Sequence, residues 1–170
     1  MKKILMSMVT LAALSTGGTM AQSLPAGFTV STGVNYVQST ANHSNDTAAN
    51  TVSLGYDYSK YVGTEVVFGG SWSNDHQKAS QSAMIDFKLG TPVSLGTVNV
   101  KPYALVGTGY GFNQNRNNET NTAAIYNVGA GVVVPVNNKV DVDVRYTYVD
   151  TYNDTRRGAN TVGVNVAYKF

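Results

Sequence analysis

The chain has no cysteine, which excludes disulfide cross-links and thiolate metal sites together. It also lacks an apolar run long enough to cross a bilayer as a helix, for which about 20 consecutive apolar residues are needed. The longest such run, ILMSMVTLAAL after Lys2 and Lys3, is too short and too interrupted. Charge is scarce as well, at 13% of residues. The basic head, the apolar run and the small residues ending Thr19-Met20-Ala21 read as an export leader, with cleavage after Ala21. Without its two lysines, ten of the 12 basic residues remain against ten acidic ones. That balance offers no basic surface for nucleic acid, and residues 22–170 suit one domain.

What the chain has in abundance is alternation. In NTVGVNVAYKF, residues 160–170, Val162, Val164, Val166, Tyr168 and Phe170 share one face, and Thr161, Gly163, Asn165, Ala167 and Lys169 the other. A two-residue period makes a strand with one apolar face and one polar face. The same period recurs at 28–37, 51–58, 62–73, 82–90, 98–112, 123–136 and 140–149. Segments of about ten residues with this dyad pattern are those of transmembrane β-strands, and about eight strands make the smallest usual barrel. The expected fold is therefore all-β: an eight-stranded antiparallel up-and-down transmembrane barrel. Half of each strand is polar, so the mildly negative mean hydropathy does not argue for a soluble protein.

Connections of two kinds set the orientation. Those after the odd-numbered strands are long and polar (STANHSNDTAAN, NDHQKASQ, NQNRNNETNT, DTYNDTRRGA), whereas SKY, the GTPVSLGT region and NNK are mostly shorter. Short periplasmic turns and longer outer loops are the outer-membrane arrangement, which puts both chain ends in the periplasm. Aromatic residues then fall at two levels. Tyr36, Trp72, Tyr110, Phe112, Tyr126 and Tyr148 lie toward the outer ends of strands, and Phe28, Tyr56, Tyr58, Phe87, Tyr168 and Phe170 toward the periplasmic ends. Two levels are expected of interfacial girdles, and a soluble sandwich needs no such banding.

The leader, the eight alternating strands, the loop asymmetry and the terminal Tyr168-x-Phe170 together resemble the small outer membrane barrels of the opacity, OmpX and OmpA type. The resemblance covers essentially the whole of 22–170. It implies a non-enzymatic monomer without cofactor, embedded among outer membrane lipids that include lipopolysaccharide, with outer loops available to a host or cell-surface ligand. Val166, Tyr168 and Phe170 resemble the carboxyl-terminal signal read by the barrel-assembly machinery. No peptidoglycan-binding domain of the OmpA kind is expected after the last strand.

On the inward parity fall Asp57, Glu65, Asp86, Lys88, Lys101, Asp141, Asp143, Arg145 and Lys169, nearly all in the periplasmic half or near the middle. Above them the inward positions are Gly69, Ser71, Gly107, Gly109, Gly111, Asn127, Gly129 and Gly131. The expectation is an ionic plug beneath a vestibule of small residues. A packed polar core is the preferred reading, because eight strands enclose only enough room for side chains and buried charges persist only when paired. The alternative is a gate, in which the charges exchange partners to open a narrow ion or small-solute channel.

Other chemistry is weaker. His43, Ser73, Asp75 and His76 place imidazole, hydroxyl and carboxylate near the outer rim, as a lipid-modifying enzyme would require. Their spacing, however, matches no triad, so no catalytic residue is expected. The Gly107-Thr108-Gly109-Tyr110-Gly111 run lacks the setting of a nucleotide loop and reads as inward glycines that relieve crowding. The sequons at Asn42, Asn45, Asn118 and Asn153 carry no evident meaning, and Arg156-Arg157 is a solvated loop pair before it is a phosphate contact.

Overall fold

The computed structural model describes residues 27–40, 46–72, 80–96, 98–114, 120–152 and 158–170. Nine strands hold most of them: β1 (Phe28–Ser39), β2 (Thr47–Asp57), β3 (Val62–Trp72), β4 (Ser80–Gly90), β5 (Val93–Leu95), β6 (Val98–Gln114), β7 (Thr120–Pro135), β8 (Val140–Thr151) and β9 (Ala159–Lys169). Each of the eight long strands pairs antiparallel with two neighbours. β4 joins β6 and β9 joins β1, so the sheet closes into an eight-stranded barrel without a free edge among the long strands. The alternation of the sequence fits this ring, with two differences of detail.

The ladders run further toward the outer side than the apolar alternation does. β2 starts at Thr47 rather than residue 51, and β7 at Thr120 rather than 123. Polar threonine and asparagine extend these ladders because the pairing groups are backbone amides and carbonyls, which need no apolar side chain. The second difference lies in the GTPVSLGT region, where β5 pairs Val93–Leu95 with the start of β6. Gly96, at φ +64°, turns that small hairpin.

Lumen and lipid faces separate as the two-residue period requires. Val34, Phe68, Ile85, Leu89 and Val106 are each more than half exposed on the outer wall, as apolar residues should be where lipid is the solvent. The buried set is largely polar: Ser31, Asn35, Ser53, Glu65, Asp86, Asn127, Asp143, Arg145, Thr147 and Asn165 all point inward. At the periplasmic end two turns are tied by side chains. Ser59 Oγ accepts from the amides of Tyr61 and Val62, and Asn137 Oδ1 from those of Lys139 and Val140. Phe170 N donates to the carbonyl of Phe28, extending the β9–β1 seam by one bond.

Val164 stands opposite Val34 and Val144 on the lipid face, midway along β9. Val164→Arg should destabilise the barrel by about 2 to 4 kcal/mol in urea unfolding from lipid vesicles. Its inward neighbour Asn165 can take Ser at smaller cost, and equal losses at the two positions would contradict the face assignment.

Candidate functional site

Alternation brings two cations and two carboxylates together at the centre of the lumen. Arg145 on β8 donates from Nη2 to Glu65 Oε2 at 3.1 Å and from Nε to Asp143 Oδ2 at 3.1 Å, and Nη2 also meets Asp143. Glu65 lies on β3, four strands from β8 whichever way the ring is followed. The guanidinium thus spans the full width of the barrel. Lys88 on β4 pairs with Glu65 and stands 3.7 Å from Asp143 Oδ2, so both cations hold the same two carboxylates. Ser53 bonds Glu65, and Tyr103 Oη donates to Asp143 Oδ1 at 2.7 Å while its ring lies 5.2 Å from Lys88 Nζ. Arg145, Glu65 and Asp143 are each 9% exposed or less, a setting in which removal of one partner strands the others.

The other inward charges sit apart from this cluster. Lys101 reaches Asp57 at 3.4 Å across three strands, but Asp57 is half-exposed at the periplasmic rim. Lys169 pairs with Asp141 on the adjacent strand at 2.8 Å. Asp86 joins neither cation: its Oδ1 accepts from Asn127 Nδ2 at 3.0 Å. A plug containing Asp86 as an ion-pair partner of Arg145 is therefore not what the structure contains.

Above the cluster lies a cavity of about 530 Å³, walled by residues such as Thr51, Ser82, Thr147 and Thr161 and floored by Asp86, Asn127, Arg145 and Asn165. Of the small residues expected around a vestibule, Gly69, Ser71, Gly111 and Asn127 line it. Gly107, Gly109, Gly129 and Gly131 do not, because neighbours cover them. A Cβ at Gly131 would stand 2.5 Å from Tyr103 Oη, and one at Gly107 would collide with the side chains of Asp86 and Asn127. Gly107 and Gly131 are recesses that let the side chains of Asp86, Asn127 and Tyr103 lie against the wall, while Gly109 and Gly129 pack closely on the adjoining strands.

The sequence analysis does not single out Tyr103, whose odd parity on β6 turns it inward, where it is 5% exposed. It also passed over the neutral lumen network, in which Asn35 Nδ2 donates to Thr51 Oγ1 and Thr51 to Asn165 Oδ1. The same parity that picked out the charges would have found both. Among the aromatics, Phe28 packs on Tyr56, Tyr56 on Tyr58 and Tyr168 on Phe170 at the periplasmic end. Phe87 is exposed on the same face. Toward the outer end Tyr36 and Tyr110 are exposed, Tyr126 packs on Tyr152, and Tyr148 Oη donates to Asp150. Phe112 is half-buried there. The side chain of Trp72 lies outside the described residues, as do His43, Ser73, Asp75, His76, Arg156, Arg157 and the sequon residues Asn42, Asn45, Asn118 and Asn153. Among the described residues no three histidine or carboxylate side chains converge to hold a metal ion.

The model of the outer membrane protein beta-barrel domain family matches residues 6–170. The chain belongs to that family. It is a multi-pass barrel of the bacterial outer membrane. No curated protein matches it by sequence. Among solved structures it is similar to Neisserial surface protein A, at 16% identity and a TM-score of 0.65, with 85% of this chain and 98% of that one covered. It is also similar to the N-terminal barrel of Pseudomonas aeruginosa OprF, at 18% identity and a TM-score of 0.60 over 84% and 97%. The outer membrane enzyme PagL shares the fold too, at 13% identity and a TM-score of 0.52 over 81% and 97%. The fold is thus common to barrels with and without catalysis.

Two outcomes test the lumen geometry. Arg145→Ala should cost about 3 to 5 kcal/mol in reversible unfolding, since it leaves Glu65 and Asp143 buried with Lys88 alone. Gly131→Ala should destabilise the wild-type barrel more than it does a Tyr103→Ala background, where the ring is gone and only the Val144 carbonyl, 2.8 Å from the new Cβ, stands in the way. Additive losses in that double-mutant cycle would mean that the tyrosine and the glycine do not share the space.

Proposed function

We propose that this barrel is non-enzymatic and acts through its outer loops, in surface interaction or envelope integrity, while its lumen is held shut. The observation that carries the reading is the Arg145–Glu65 pair across the full width of the ring, with Lys88 and Tyr103 packed beside it. A guanidinium fixed at three points in the middle of an eight-stranded lumen leaves little room for hydrated ions. In this reading residues 1–21 are the export leader, Val166, Tyr168 and Phe170 are recognised by the assembly machinery, and the two aromatic levels anchor a monomer among lipids and lipopolysaccharide. The loops would carry recognition of a host or cell-surface ligand. No residue is assigned to catalysis, and His43, Ser73 and His76 replaced by Ala should leave the mass spectrum of envelope lipids unchanged.

A second reading, a narrow gated channel, has its own support. Lys88 and Arg145 both face Glu65 and Asp143, so the cations can change partners without either carboxylate losing all compensation. Single-channel recording in a planar bilayer separates the two. The sealed barrel should show no openings above the lipid baseline, and Arg145→Ala should introduce them if the barrel still folds. Frequent openings of the wild-type protein would instead favour the channel.

A further inference from the structure

The periplasmic belt of aromatic residues does not run all the way round the ring. Phe28, Tyr56, Tyr58, Tyr168 and Phe170 supply it on or beside β1, β2 and β9. Along β6, β7 and β8 the outward positions at that end are aliphatic instead, Val98, Val100, Val134, Val136, Val140 and Val142 among them.

On this side the wall also continues further toward the periplasm. Val98 and Val100 lie beyond Gly90 and Tyr103, the last β4–β6 pair, where β5 takes over as the neighbour of β6. Register sets Val93 against Val100 and Leu95 against Val98, so the four side chains share one face of the β5–β6 hairpin. Parity along β6 makes it the face that turns Val106 and Tyr110 to lipid. Leu95 is 63% exposed, and Val136, just past β7, 62%. The opposite face is polar, with Ser94 Oγ donating to Asn99 Oδ1 at 2.7 Å.

Charge separates this hairpin from the other two periplasmic turns. Each of those holds a lysine beside an aromatic ring, Lys60 at 4.9 Å from the centroid of Tyr61 and Lys139 at 6.0 Å from that of Tyr168. Such pairs suit a headgroup level, where the amine reaches water and phosphate. Residues 90–100 contain no charged side chain. A ribbon with four aliphatic side chains on one face gains nothing from periplasmic water. Its apolar face is continuous with a wall that lipid already covers, since Leu89, Pro102 and Val132 leave no polar row between them. Depth is limited by the backbone: β5 has β6 as its single strand neighbour among the described residues, and hydrocarbon penalises an unpaired edge. The hairpin therefore suits the interface, with its edge hydrated among headgroups and its apolar face against acyl chains.

We infer that the β5–β6 hairpin is a membrane-contact element, with Val93, Leu95, Val98 and Val100 seated on the acyl chains of the periplasmic leaflet. It extends the lipid-covered wall below the level of the aromatic belt on one side of the barrel. The contact is independent of what the outer loops meet and of whether the lumen conducts.

The chain has no cysteine, so single cysteines report accessibility without background. Leu95→Cys and Ser94→Cys, on opposite faces of one strand, are each refolded as one barrel per phosphatidylcholine nanodisc, where both membrane surfaces meet solvent and no second copy is present. A charged, water-soluble maleimide should react at least fivefold more slowly with Leu95→Cys, because thiolate formation is suppressed against lipid. In urea the two rates should become equal. Equal rates in the nanodisc, or faster reaction of Leu95→Cys, would overturn the assignment and leave the face to a second copy or to a strand added at the β5 edge. Should either variant fail to fold, Val98→Cys and Asn99→Cys make the same comparison on β6, and the same outcomes decide it.

Discussion

The interaction on which the rest of the molecule depends is the grip of Arg145 on Glu65 and Asp143 across the barrel. Closing eight strands into a ring satisfies every backbone group along the ladders but creates a narrow interior that water fills poorly. Side chains turned into that interior must satisfy one another. Glu65 comes from the third strand and Asp143 from the eighth, so their common cation also fixes which staves face each other. The lock is a constraint on sequence as much as on structure: a charge placed on one strand obliges a partner of opposite sign on a distant one.

Recesses make that lock possible. Tyr103 can bring its hydroxyl to Asp143 only because Gly131, its register partner on the adjacent strand, has no Cβ in the way. Gly107 does the same for Asp86 and Asn127, its partners on either side, and Gly33 and Gly163 for Asn165 and Asn35. Large polar residues and glycines are thus paired by register rather than scattered. Glycine normally weakens a strand, and here the loss is offset by the side chain that packs over it.

Much of this was legible in the sequence because a two-residue period assigns each side chain to one of two faces with no intermediate option. From Val164 and Asn165 one reads lipid and lumen, and Arg145, Glu65 and Asp143 fall inward by the same count. Partnership is a different matter. Which carboxylate Arg145 takes depends on strand tilt and on the stagger accumulated around the ring, and parity contains neither. Asp86 has the same parity as Glu65 and pairs with it in register, yet it is drawn to Asn127 rather than to the guanidinium. Composition also hid the role of the glycines. A row of small inward residues looks like empty space until the neighbours that fill it are placed.

A barrel held together in this way places few demands on its loops. All eight seams are made by residues of the strands themselves, and the central cluster draws only on strand positions. Among the described residues, those outside the strands supply none of the partners in the central cluster and are free to vary on that account. Lumen residues have no such freedom, because each is tied to a partner on another strand. Nor do outward ones, where a charge at mid-membrane is penalised by lipid. Stability and recognition therefore fall on separate parts of the chain. That separation is the physical reason one barrel architecture serves surface proteins and enzymes alike, and why the walls reveal so little about what the loops meet.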